Sequence, residues 1–106
     1  MFAFSSGIFM KNKIKLKINN KQWSVKIVDP KYLRRSYGEC DDNLDGSNNK
    51  PEIWVRNDLS KKDTFDTLVH EILHAVRPEL SEDAVGYTAS VICDVIHKIY
   101  NDFEKD

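Results

Sequence analysis

Two strictly alternating runs stand out along the chain. Lys13-Ile-Lys-Leu-Lys-Ile18 and Trp23-Ser-Val-Lys-Ile-Val28 both place an apolar side chain at every second position. A period of two sends alternate side chains to opposite faces of a strand. With Asn19-Asn20 supplying the turn, these residues predict a β-hairpin with one apolar face, ended by Asp29-Pro30. Residues 31–40 carry no clear period and leave room for a short third strand near Tyr37. Asp41 to Lys50 (DDNLDGSNNK) is polar and turn-rich and reads as a loop, and Glu52-Ile-Trp-Val-Arg56 reads as a further strand. The loop residues Asp41, Asp42, Asp45 and Gly46 faintly suggest a calcium loop, but calcium is not expected there.

The period then changes to that of a helix. Phe65, Leu68, Val69, Ile72, Leu73 and Val76 recur at steps of three and four. Ser60-Lys-Lys-Asp63 resembles a capping box at the start of this segment, and Pro78 stops it just after Arg77. Ser81 suits the N-cap of a second helix, expected from Glu82 to about Phe103 with a stripe of Val85, Ala89, Ile92, Ile96 and Ile99. Two helices joined so briefly should be antiparallel neighbours, both packed on the sheet. The fold expected is α+β: a small antiparallel or mixed sheet with an N-terminal hairpin, packed on two helices.

Composition narrows this only modestly. A chain of 106 residues supports one core. Residues 11–106 read as a single domain and residues 1–10 (MFAFSSGIFM) as a disordered N-terminal extension, with Met10 resembling a natural start. That segment is too short to span a membrane and lacks the basic region of a signal peptide. Sixteen Lys and Arg balance 17 Asp and Glu, so nucleic acid is not an expected partner. Six lysines between Lys11 and Lys26, with no acidic residue among them, read as the solvated, aggregation-blocking face of an edge hairpin. Cys40 and Cys93 form no paired motif, which fits a reducing cytoplasm better than a disulfide framework. Oligomeric state is not legible.

Within the first helix lies His70-Glu71-Ile72-Leu73-His74. Helical residues four apart share a face, so both imidazoles can reach one metal ion, and Glu71 is close enough to face a water bound to it. Zinc-bound water loses a proton near neutral pH, and a carboxylate can take that proton. Two histidines do not complete a site. Extending the second-helix stripe back one turn from Val85 lands on Glu82, which should point at the first helix near His74. Asp83, about 100° further around, is the alternative third ligand. His97 lies fifteen residues beyond Glu82, about 22 Å along a helix axis, and reads as a surface histidine. Cys93 reads as a small buried residue, and Cys40 as a remote candidate for approaching the metal.

From Ile53 to Val85, the extended segment, the Ser-capped helix with Thr67-Leu-Val-His-Glu-Ile-Leu-His-Ala75, and Leu80-Ser-Glu-Asp-Ala-Val85 together resemble the small HExxH proteins of phages. Those proteins resemble minimal zincin-fold metallopeptidases of the gluzincin type. The resemblance implies one zinc ion on His70 and His74, Glu71 as general base, and Glu82 or Asp83 as third ligand. It implies a peptide or protein substrate and, for a phage protein, action in the host cytoplasm. The strand Glu52 to Arg56 is the expected edge for an extended substrate. Trp54 should sit opposite Ile53 and Val55, packed or flanking the cleft. Tyr87, Tyr37 and Arg56 are the candidate oxyanion donors. The alternative is a zinc-stabilised binding or regulatory module that cuts nothing. A metal-free helix pair is a third reading, and two His with a carboxylate also suit other divalent ions, iron included.

Overall fold

The computed structural model of the chain describes residues 11–33, 35–42 and 50–100. The expected N-terminal extension and most of the polar loop, including Asp45 and Gly46, lie outside the described residues. The hairpin is present as β1 (Lys13–Ile18) and β2 (Lys21–Val28), paired antiparallel with Leu16 opposite Trp23 and Ile14 opposite Val25. Asn19 and Asn20 adopt φ of 52° and 66°. Asparagine tolerates this left-handed region better than other non-glycine residues, and a two-residue turn with both φ positive matches the twist of the flanking strands.

The third strand, β3 (Gly38–Asp41), is four residues long, and β4 (Glu52–Arg56) follows it. The sheet order is β1-β2-β4-β3, with β2 and β4 parallel and β3 antiparallel to β4. This corrects one expectation. Strand 52–56 is interior, hydrogen-bonded on both sides, and cannot take on a substrate strand; the edge beside the helices is β3. Ile53 and Val55 are fully buried and pack with Ile18, Trp23, Val25, Leu59 and Ala75 in the core. Trp54 alternates to the other face, where its ring meets Tyr32 edge-on at 6.0 Å and its indole N–H donates to Glu52 at 2.7 Å. It therefore does not flank a cleft on the helix side.

Helix α1 spans Lys61–Val76 and α2 spans Glu82–Ile99. Ser60 and Ser81 cap them, accepting from the backbone N–H of Asp63 (3.0 Å) and Ala84 (3.1 Å). Helix α2 runs to Ile99, with Tyr100 as its C-cap, and Phe103 lies outside the described residues. Among the described residues α1 packs on the sheet, against β3 and β4, while α2 packs chiefly on α1. The seam on α2 also departs from the expected stripe. Its buried residues are Val85, Ala89, Cys93 and His97, four apart throughout, while Ile92, Val95 and Ile99 are exposed. Each step of four rotates about 40° around the axis, as expected where two helices cross at an angle.

A glycine sets how closely α1 approaches the sheet. A Cβ on Gly38 would lie 2.5 Å from Thr67 Cγ2, 3.0 Å from the Trp54 carbonyl oxygen and 3.2 Å from Glu71 Cγ. At the far end of α1, Asn19 in the hairpin turn donates its side-chain N–H to the Val76 carbonyl at 2.9 Å. That bond satisfies one of the last-turn carbonyls that a helix leaves unpaired. Among the described residues, no helix is long and apolar enough to cross a membrane.

Candidate metal centre

His70 and His74 stand one helical turn apart on α1, their rings 4.9 Å apart between centroids. The connection of Arg77 to Ser81 returns the chain so that the first residue of α2 faces them. One Glu82 carboxylate oxygen lies 2.9 Å from His70 Nε2 and the other 2.8 Å from His74 Nε2. The three side chains offer two imidazole nitrogens and a carboxylate oxygen within 4.8 Å of one another. Asp83 is exposed and takes no part in this cluster. The donors suit a zinc-class divalent ion, which accepts imidazole and carboxylate at about 2.0–2.2 Å. A modest widening of the present contacts would admit one.

Charge supports the same grouping. Partial desolvation draws the Glu82 carboxyl upward, but the charge and hydrogen bonds of His70 and His74 outweigh it and hold the group below its ordinary value. Glu71, between the histidines, behaves oppositely. Burial pushes its carboxyl up, Glu82 and Glu39 add to that, and the two imidazoles oppose it when charged. A carboxylate so raised holds a proton more readily than an exposed one.

Glu71 lines a groove of about 300 Å³ between α1 and the start of β3, together with Tyr37, Gly38, Asp66, Thr67 and His70. Beyond the ladder with β4, the Tyr37 carbonyl accepts from the Arg56 N–H at 3.0 Å. Antiparallel alternation then turns the backbone groups of Gly38 and Cys40 away from β4, toward the outer edge of β3. Of the three oxyanion candidates, Tyr37 is half-exposed on this groove. The Arg56 guanidinium is engaged with both oxygens of Asp58, and Tyr87 projects from the exposed side of α2. Cys40 packs against the core, and burial together with the nearby Glu71 pushes its thiol up to about 12. On the other side of the cluster, His74 borders a smaller apolar hollow with Ile18, Trp23, Cys40 and Pro78.

Two residues behave differently from expectation. His97 is buried rather than at the surface, its Nε2 lying 2.6 Å from Asp66 Oδ1 on α1 and its ring packed edge-on against Phe65. Gly38, which admits α1 to the sheet beside Glu71, carried no signal, because its requirement comes from Thr67 far along the chain. Cys93 is buried, as expected. Comparison of the chain with known protein families, with curated proteins and with solved structures finds no match. The resemblance to small phage HExxH proteins therefore rests on the residues quoted for it.

Proposed function

We propose that this protein is a zinc-dependent metallopeptidase, with His70, His74 and Glu82 as metal ligands and Glu71 as general base. The observation that carries the reading is the convergence of those three donors beside a groove that Glu71 and the outer edge of β3 share. A zinc ion held there would acidify a bound water and polarise a scissile carbonyl. Glu71 would take a proton from that water and pass it to the leaving amine. The outward backbone groups of Gly38 and Cys40 pair with an extended peptide, which holds it along the groove. Tyr37, which lines the groove, is the candidate to donate its hydroxyl to the developing oxyanion.

A second reading has an observation of its own. Glu82 bridges both imidazoles and so ties the first turn of α2 to α1. An ion there would strengthen that tie, which is all that a zinc-stabilised binding module requires. The two readings separate on Glu71→Gln, assayed by zinc content and by hydrolysis of a mixed quenched-fluorescent peptide library. A peptidase keeps its zinc and loses at least about 100-fold in turnover. A zinc-loaded wild type that cleaves nothing in the library overturns the peptidase reading and favours the module.

A further inference from the structure

The α1–α2 seam repeats the construction of the candidate metal centre at its other end, with the roles of the helices exchanged. There α2 supplies the pair four residues apart, Cys93 and His97, and α1 supplies the carboxylate, Asp66. A thiol sulfur, an imidazole nitrogen and a carboxylate oxygen lie within 4.8 Å of one another. The cluster is sheltered: Cys93 is 4% exposed and the His97 side chain 8%. It also opens onto solvent, through a pocket of about 560 Å³ bordered by Lys62, Ser90, Asp94 and Lys98. Eleven residues separate Glu82 from Cys93, about 16 Å along α2, so the two clusters do not share an ion.

We infer that Asp66, Cys93 and His97 form a second metal site, for one thiophilic divalent cation of the zinc class, with its fourth position open to the pocket. An Asp66–His97 ion pair by itself accounts for two of the three residues. The Cys93 thiol, one helical turn from His97 on the same face, hydrogen-bonds Asp66 as well, so all three donors converge on one point. Sulfur with imidazole and carboxylate suits zinc, cobalt or cadmium and disfavours magnesium and calcium. Packing of Phe65 on His97, with ring centroids 5.7 Å apart, restrains the imidazole as an outer support does in metal sites. On binding, the Cys93 thiol gives its proton to solvent and the thiolate becomes the ligand. This site depends on neither Glu71 nor the His70–His74–Glu82 cluster.

The test is a cobalt(II) titration of the reduced full-length protein, read by the near-ultraviolet thiolate-to-cobalt charge-transfer band. The His70–His74–Glu82 cluster has no sulfur and cannot produce that band. In the wild type it should grow to saturation at one equivalent, within a total of two. It should vanish in Cys93→Ser, weaken at least about 10-fold in affinity in Asp66→Asn, and persist in His74→Ala. Circular dichroism verifies folding, and Asp66→Asn, at a half-exposed position, serves if Cys93→Ser does not fold. No band in the wild type overturns the inference. So does a band that survives Cys93→Ser, which would come from Cys40, or one indifferent to Asp66→Asn. One equivalent in total, carrying the band and untouched by His74→Ala, would uphold this site and sink the other.

Discussion

Gly38→Ala should loosen the seat of α1 on the sheet, and the size of the effect follows from the distances. The new methyl would lie 2.5 Å from Thr67 Cγ2, where carbon atoms pack at about 3.5–4.0 Å. Thr67 is β-branched and in mid-helix, so its side chain has little freedom to turn aside. The Trp54 carbonyl at 3.0 Å is backbone and cannot yield either. Helix and strand must separate, at the cost of overpacking a closed core, about 1–3 kcal/mol. The stiffer unfolded chain returns part of this, about 0.4–1 kcal/mol. A net loss of about 1–2 kcal/mol should lower the melting midpoint by about 4–16 °C in a domain of this size. Thr67→Ser removes the tightest of these contacts and leaves the Trp54 carbonyl, so the double variant should recover part of the loss, with a coupling near 1 kcal/mol by urea denaturation. Gly86→Ala is the control of opposite sign: it meets nothing within 4 Å on a helix and should stabilise by about 0.5–1 kcal/mol. If Gly38→Ala matched the wild type, or if Thr67→Ser failed to relieve it, the close approach of α1 to β3 would be refuted.

Other outcomes follow from the same geometry. Chelation of a zinc-loaded sample should lower thermal stability, by about 4 kcal/mol if free zinc had stood at 1,000 times its dissociation constant; an unchanged melting curve would count against a metal that binds only the folded state. Ser81→Ala removes the cap of α2 and should cost about 1 kcal/mol. It should also weaken zinc binding in a competition assay, because the cap orients the turn that begins with Glu82. Burial raises the Glu71 carboxyl above its unfolded value, so its contribution is complete below the unfolded pKa and is lost as pH rises through the folded one. Glu71→Gln should therefore raise the melting midpoint of the metal-free protein at pH 7 and leave it unchanged below about pH 4; equal midpoints at both pH values would contradict a raised carboxyl.

The hairpin, β4 and both helix starts were legible because each is a local signal. Period two, an Asn-Asn turn and serine N-caps all act within a few residues. Glu82 was legible for a similar reason, since a short connection leaves the first turn of α2 little choice but to face the end of α1. The order of the sheet was not legible, because the parallel pairing of β2 with β4 leaves no mark on either strand's own period. That hid the interior position of Glu52–Arg56. A short strand near Tyr37 was anticipated, but its bounds were not legible, because the outward-facing Glu39 and Asp41 make β3 too polar to separate from the loop that follows.

Apolarity misread the seam of α2 as well. Ile92 and Ile99 look more buried than Cys93 and His97, yet polar partners on α1 decided the packing. A usable signal was present in the spacing: Cys93 and His97 are four apart, and Asp66 stands one turn before His70 on the face that meets α2.

The central claim is that His70, His74 and Glu82 bind a metal ion. Its most direct test is plasma mass spectrometry of zinc-reconstituted Cys93→Ser protein, in which the sulfur-containing cluster is disabled, beside the same protein carrying His74→Ala or Glu82→Ala. The account predicts one equivalent of zinc in Cys93→Ser and none in either double variant. Zinc absent from Cys93→Ser, or retained after His74→Ala, would contradict it.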